Sequence, residues 1–226
     1  MKKPYLICHM LASLDGRIDC DMTEQICGNE YYEALEELNC PSMINGKTTA
    51  IMHYADKGTF LPKSHQSIDK ETIYQATLSN NYHIITDTKG TLLWANNHIE
   101  SKALICLVSE QVSLEYLDYL HQKKISYIAT GKRCIDLPRA MEILADQFSV
   151  KRLVLTGGGH LNGSFLTAKL LNEISIMFSP GIDGRSGETA VFDGIQDKTH
   201  NPVKLKLIGS IKQYPNGTVW MRYLPI

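Results

Sequence analysis

The chain has 226 residues, with 23 Lys and Arg against 24 Asp and Glu, a net charge of −1 and 43% hydrophobic residues. A chain of this length buries a sizeable core, and its balanced charge argues against a nucleic-acid binder that works by neutralising phosphates. No apolar run approaches the ~18 residues that cross a bilayer.

Tyr5–Ala12 is apolar and unbroken, as expected of a strand covered on both faces. The chain then continues into Ser13-Leu14-Asp15-Gly16-Arg17 without a small-residue cleavage site, which is not the pattern of a signal peptide. Asp15–Asn29 is polar and rich in turn residues. From Asn29, a good N-cap, Tyr32, Leu35 and Leu38 recur at helical spacing. Ser42–Asn45 reads as a short strand, Gly46-Lys47-Thr48-Thr49 as a turn, and Ala50–Tyr54 as a short helix. Ala55–Lys70 reads as a long surface connection, a kind of segment that is usually functional or mobile.

Beyond it, strands are expected at His83–Thr86, Ala103–Val108, Ser126–Ala129 and Arg152–Thr156. Helices are expected at Ser113–Lys123, with Leu114, Leu117 and Leu120 inward, and at Leu137–Phe148, capped by Asp136 with Pro138 in its first turn. Gly157–Gly159 opens a helix over Leu161–Ala168, and a strand follows at Glu173–Phe178. Val203–Gln213 and Thr218–Leu224 flank Pro215-Asn216-Gly217, a hairpin signal. Alternating strands and helices closed by an antiparallel hairpin predict an α/β fold with a mixed, mostly parallel sheet and helices on both faces. No linker or repeat divides residues 1–226, which reads as one domain. Cys8, Cys20, Cys27, Cys40, Cys106 and Cys134 contain no Cys-x-x-Cys pair, and Cys8 and His9 point to opposite faces of their strand. No metal site is expected, and a reducing, cytoplasmic compartment is.

Two glycine-containing strand-to-helix turns carry the chemistry. In Thr156-Gly157-Gly158-Gly159-His160-Leu161 the glycines allow close backbone approach, and the helix start offers unsatisfied N–H groups to an anion. The turn is not G-x-G-x-x-G, since the last position is Asn162, and a tight turn without a ligand is the alternative. Gly46-Lys47-Thr48 imitates the end of a Walker A loop, but Pro41 stands where the first glycine would be. It suits a phosphate at a helix start, with Thr48 or Thr49 as a plain cap the alternative. Two such turns in one chain favour a ligand with several phosphates, such as a dinucleotide.

Leu11-Ala12-Ser13-Leu14-Asp15-Gly16-Arg17 resembles the A-S-L-D-G-R signature of the reductase domain of bacterial riboflavin-biosynthesis deaminase–reductases. Gly46–Thr49 resembles that family's G-R-x-T turn, and Thr156–Leu161 its E-G-G-x-x-L turn. Asp183-Gly184-Arg185, Val191-Phe192-Asp193-Gly194 and the final hairpin follow in family order, so the resemblance covers nearly the whole chain. It implies a dihydrofolate reductase-like three-layer α/β/α fold, a homodimer and an NADPH-dependent reductase that transfers hydride to the C=N of 5-amino-6-(5-phosphoribosylamino)uracil. It further implies that Leu11 and Ala12 line the nicotinamide, that Gly46, Lys47, Thr48 and Thr49 hold the adenosine side, and that Gly157, Gly158, Gly159, His160 and Leu161 take the pyrophosphate. Ser13 and Thr156 would meet substrate. The paired H-x-E and P-C-x-x-C signature of zinc deaminases is absent.

This chain departs from the family at Lys47, in place of an arginine, and at Thr156, in place of a glutamate. No arginine follows Thr49 nearby to meet a substrate phosphate; Lys57 and Lys63 are the nearest cations. Asp15 is the candidate orienter or proton relay, with an Asx-type turn before Gly16 as the alternative. Glu30, Glu33 and His160 are weaker candidates. Asp87 would disfavour a ribose 2′-phosphate, whereas Lys47 and Lys89 would favour it. Two other functions fit the same residues: reduction of a pterin or another C=N or C=O compound, and dinucleotide binding without turnover.

Overall fold

The computed structural model describes residues 2–18, 20–64 and 66–226, the side chain of Cys20 excepted. Met1, Asp19, His65 and the Cys20 thiol weighed above lie outside the described residues. In chain order the elements are β1 (Tyr5–Ala12), α1 (Cys20–Ile26), α2 (Glu30–Glu37), β2 (Ser42–Gly46), α3 (Lys47–His53), β3 (Thr72–Tyr74), β4 (Tyr82–Thr86) and β5 (His98–Ile99). They continue as β6 (Lys102–Val108), α4 (Leu114–Gln122), β7 (Ser126–Ala129), α5 (Leu137–Asp146), β8 (Arg152–Leu155), α6 (Gly159–Thr167), β9 (Glu173–Phe178), β10 (Leu205–Gln213) and β11 (Val219–Pro225). The chain packs as two compact units: residues 41–153 with residues 2–4, and residues 5–40 with 154–226. No helix among the described residues is long and apolar enough to cross a membrane.

In the first unit, β2, β4, β6 and β7 pair in parallel in that order; β3 closes antiparallel on β7, and β5 pairs antiparallel with β6. The parallel strands are buried runs, β4 throughout, as the unbroken apolar sequence requires. Ser113 caps α4 by accepting the Tyr116 N–H at 3.2 Å, and Asp136 caps α5 by accepting the Arg139 N–H at 3.0 Å. The inward face of α4 is Tyr116, Leu117 and Leu120; Leu114, expected inward, is exposed because it belongs to the first turn on the solvent side. Tyr116 donates its hydroxyl to the Leu92 carbonyl at 2.9 Å inside a core that includes Trp94, Val112 and Ile125.

Residues 55–64 and 66–70 contain no helix or strand, yet they are held at several points. The Asp56 N–H reaches Leu93 O at 2.9 Å, the Phe60 N–H reaches Thr91 O at 2.8 Å, and the Asp69 N–H reaches Glu110 O at 3.1 Å. The Glu115 carboxylate accepts the Lys63 and Ser64 N–H groups at 2.7 and 2.9 Å. The segment is a built wall rather than a slack connection.

In the second unit, β1 runs parallel to β9, and β11 and β10 add antiparallel strands beyond β9. The Asn-Gly turn forms as read: Tyr214 and Thr218 close it, and Gly217 takes φ +91°. α2 starts after Asn29, but the Asn29 side chain makes no cap bond, and Tyr32 is exposed. Leu38 turns inward as expected, and Ala34 rather than Tyr32 joins it against Ile7, Met177 and Trp220. α1 lies inside the stretch read as turn-rich. Its sequence lacks an apolar stripe, and the strands β3 and β5 are too short to show a period.

β1, β9 and β11 share a buried polar knot. His9 Nδ1 lies 2.9 Å from Ser175 Oγ, and Trp220 Nε1 donates to that same oxygen at 2.7 Å. The His9 ring stacks on Tyr31 with centroids 4.6 Å apart. Burial, outweighing its hydrogen bonds to Tyr31 and Ser175, pushes the His9 imidazole down from 6.5 to about 4. In the first unit, burial and the Lys102 charge push His83 down to about 3.

A folded-state histidine pKa below the unfolded value means that the unfolded chain binds protons first as pH falls. Stability is therefore full above pH 6.5 and declines from there towards pH 4, by about 3 kcal/mol for His9 alone. Urea midpoints at pH 7.5 and pH 5 are expected to show the fall. They are expected to show a smaller one in His9→Gln, and a smaller one still when His83→Gln is added.

Candidate active site

The carboxyl end of β1 leads into a turn closed by its own side chains. Ser13, fully buried, accepts the Arg17 N–H on its hydroxyl at 3.0 Å and donates that hydroxyl to Asp15 Oδ1 at 2.6 Å. The two Asp15 oxygens also accept the N–H groups of Asp183 and Gly184, each at 3.0 Å. The Ser13 hydroxyl, and then the two amides, hold the Asp15 carboxyl well below the usual carboxylate range. Asp15 thus stands ionised and pins residues 183–184 to the β1 turn, the Asx-like alternative extended across the unit. Ser13, expected against substrate, spends its hydroxyl inside this turn. The Ala12 carbonyl accepts the Ser179 N–H at 2.9 Å, so of the two residues expected at a nicotinamide, Leu11 is the half-exposed one.

The same unit builds the late glycine turn. Thr156, half-buried, follows β8, and Gly157 takes φ +92° with the Met10 side chain against it. A Cβ on Gly159 would meet the Ala190 carbonyl and, at 2.7 Å, Thr189 Cγ2. A Cβ on Gly158 would meet nothing within 4 Å. Two of the three glycines are therefore explained by backbone conformation and packing, while Gly158 faces open space at the N-cap of α6. The first intrahelical bond runs from the Asn162 N–H to Gly158 O at 3.0 Å, leaving the N–H groups of Gly159, His160 and Leu161 without a partner among the described residues. Three such amides at the start of a nine-residue helix, beside a glycine with room in front of it, are a donor set that could hold an anion. His160 takes no part in it from its side chain, because its ring packs against Gly194.

An irregular stretch, residues 188–194, ties the two turns together. The Arg17 guanidinium donates to Glu188 O, the Ile18 N–H reaches Thr189 O at 3.2 Å, and the Val191 N–H reaches Gly16 O at 3.1 Å. From the other side, Asn162 Nδ2 donates to Val191 O at 2.7 Å, and the Asp193 N–H reaches Gly159 O at 3.0 Å. Asn162 escaped the sequence reading. It occupies the place where the dinucleotide fingerprint would have glycine, and its role is to hold this strap. Glu30 turns to its own neighbourhood, accepting the Gly28 N–H at 2.7 Å and the Cys27 thiol at 3.3 Å.

The early turn, in the first unit, has a different character. Gly46 is the N-cap of α3 without a side-chain cap bond, Thr48 is exposed and Thr49 half-buried, so neither threonine acts as the cap. Lys47 donates to Thr91 Oγ1, and its ammonium lies 3.5 Å from Asp87 Oδ1. Asp87 is buried and accepts the Thr91 and Leu92 N–H groups at 2.5 and 2.8 Å. Lys47 is thus half-neutralised, and the Asp87 carboxylate faces its own loop rather than an incoming ribose.

The sequence matches the RibD C-terminal domain family over residues 4–220. The chain belongs to that family. Among its relatives is the 2,5-diamino-6-ribosylamino-4(3H)-pyrimidinone 5′-phosphate reductase of Methanothermobacter thermautotrophicus, 25% identical over 216 residues and matched over 91% of both chains. A protein of the same name from Archaeoglobus fulgidus is 24% identical over 85% of this chain and 87% of its own. The fold is shared with Acinetobacter baumannii RibD, at a TM-score of 0.70 and 18% identity over 99% of this chain; the match spans 58% of the RibD chain. It is shared also with a pyrimidine reductase-like protein from Corynebacterium diphtheriae, at a TM-score of 0.73 and 15% identity over 92% of that chain. The mixed, mostly parallel sheet with antiparallel C-terminal strands is the fold of these RibD-type proteins.

The glycines of the RibD-type late turn separate by mutation. Gly159→Ala drives a methyl into the 189–190 backbone and is expected to cost about 1–3 kcal/mol of stability. Gly158→Ala enters open space at an ordinary backbone conformation and is expected to stay within about 0.5 kcal/mol of the parent. Thermal and urea unfolding of the two variants checks the contrast.

Proposed function

We propose that this RibD-family chain is an NADPH-dependent reductase of a ribosylamino-pyrimidine 5′-phosphate, the substrate class in the names of its relatives. The observation that carries the reading is the start of α6, where open space before Gly158 meets three unpartnered amides. A pyrophosphate fits that donor set, since it brings two charges to the positive end of a helix and asks for no side chain. When bound, a reduced nicotinamide supplies a hydride to an electrophilic carbon.

The chain's own residues bind and orient. Gly158, Gly159 and the Leu161 amide take the pyrophosphate, and Leu11 offers the half-exposed surface at the end of β1. Asp15 positions: through Ser13, Asp183 and Gly184 it fixes the loop that follows β9. A carboxylate held this firmly in its ionised form is a poor proton donor near neutral pH, so the proton that balances reduction of C=N to an amine comes from another group or from water. A cytoplasmic homodimer belongs to the same reading. One observation favours a second reading, dinucleotide binding without turnover: the Ser13 hydroxyl and the Asp15 carboxylate are both committed to internal bonds.

NADPH oxidation at 340 nm with the diaminopyrimidinone phosphate, and separately with 5-amino-6-(5-phosphoribosylamino)uracil, tests the reading. Turnover on either supports it, whereas cofactor binding without turnover on both moves the assignment to the second reading. Asp15→Ala is expected to lower kcat by about ten- to a hundred-fold through lost orientation, with the shape of the pH–rate profile preserved. Loss of one limb of that profile would restore Asp15 as the proton relay.

A further inference from the structure

We propose that the second unit carries an acid-sensitive clasp: protonation of His9 lifts α2 away from the β11–β9–β1 sheet. The clasp is independent of the reductase reading and of both glycine turns. Its parts are the His9 ring on β1, Ser175 on β9, Trp220 on β11 and the Tyr31 carbonyl on α2.

Counting hydrogens gives this knot a direction. Trp220 Nε1 can only donate, so the Ser175 oxygen accepts it at 2.7 Å. The Tyr31 carbonyl can only accept, so His9 Nε2, 3.3 Å away, carries the hydrogen of the neutral ring. Nδ1 is then bare and accepts the Ser175 hydroxyl at 2.9 Å. The chain runs from Trp220 through Ser175 to His9 and on to α2. A second ring proton has to sit on Nδ1, where it meets the hydrogen of Ser175. One of the two must turn away, although His9 and Ser175 are both fully buried.

The surroundings oppose that proton as well. Burial disfavours the charged ring first, and the Arg222 guanidinium of β11 adds repulsion. Arg222 is paired with Glu173 of β9 at 2.5 Å. From β10, Lys212 stands 5.5 Å from the Trp220 ring and is paired with Glu37 of α2 at 3.0 Å. On α2 itself Glu30 is turned to the Gly28 N–H, and Glu33 is exposed.

A charged ring therefore needs water. The sheet side cannot admit it without breaking the ladders of β1 with β9 and of β9 with β11. The other side is α2, whose Tyr31 ring covers His9 with centroids 4.6 Å apart. α2 has eight residues and is held by Ala34 and Leu38, together with an exposed Glu37–Lys212 pair that contributes little. A short element on few contacts opens at the lowest cost. Leu11, two residues beyond His9 on the same face of β1, packs against the same cluster, so the clasp lies behind the strand end where the candidate site begins. Since the ring binds its proton more readily once α2 has lifted, release grows as pH falls through the ordinary histidine range.

Two measurements on the full chain test the clasp. Nitrogen NMR of histidine-labelled protein at pH 7, with the His9 signals located by their proximity to the Trp220 indole, is expected to show a neutral ring protonated at Nε2. Amide exchange, corrected for its intrinsic pH dependence, is expected to show protection of residues 30–37 falling by about ten-fold or more between pH 7 and pH 5, ahead of β9. His9→Gln, which does not titrate there, is expected to lose that fall, and Glu37→Gln to keep it. An Nδ1–H tautomer overturns the proposal, as does a fall that survives in His9→Gln or vanishes in Glu37→Gln. Where His9→Gln does not fold, the wild type decides alone. A His9 ring that gains its proton while α2 stays protected overturns the clasp, and protonation in step with lost protection supports it.

Discussion

Residues 179–204 include no helix or strand, yet they cover the end of β1 and the start of α6, and the order of this stretch begins at one carboxylate. Asp15 gathers the hydroxyl of Ser13 and the amides of Asp183 and Gly184, with the Leu14 N–H bonded to Gly181 O at 2.8 Å beside it. Once residues 181–184 are set, the next stretch can reach back: Glu188 to Arg17, Thr189 to Ile18, Val191 to Gly16 and to Asn162. Each bond satisfies a backbone group that would otherwise be stranded in a long loop. The first part of the segment, to Asp193, is tolerated without regular structure because its backbone is tied at several points by hydrogen bonds.

That strap explains why the chain needs its glycines where it has them. The Ala190 and Asp193 carbonyls press against α6 at Gly159 and Gly163, so close that neither position has room for a methyl group. The α6 entry is consequently rigid before any ligand arrives, and its free amides are aimed by packing rather than by the ligand. Preorganised amides lose less entropy on binding an anion than amides that must be gathered. The catalytic demand on such a site is small as well, since hydride transfer asks the protein mainly for orientation.

Much of this was legible. The buried strands announced themselves by unbroken apolar runs, α4 and α5 by Ser113 and Asp136 at their caps, and the final hairpin by Asn216-Gly217. Both glycine turns were visible as strand-to-helix turns. The bonds that decide roles were not visible. Whether Asp15 donates a proton or anchors a loop depends on partners 168 and 169 residues away, and Lys47 meets its partners 40 and 44 residues on. α1 was missed for a different reason. Cys20–Ile26 has no periodic apolar face, and Ile26 finds its packing partner at Gly181, far along the chain. Local sequence can report propensity and period, but it cannot report a contact whose other half is remote.

The contrast between the two glycine turns bears on how one family could serve different chemistries. At α6 a ligand would be met by main chain, which side-chain substitution barely alters, so the late turn can persist while residues such as Thr156 change around it. At the early turn a ligand would be met by side chains, and there the buried Asp87 holds the half-exposed Lys47 by an ion pair. A buried carboxylate satisfied by two amides and a hydroxyl has no reason to release its cation, since removing either partner would leave the other charge poorly paired. The late turn is thus built by main chain and the early one by side-chain charge, two kinds of surface that substitution alters to different degrees.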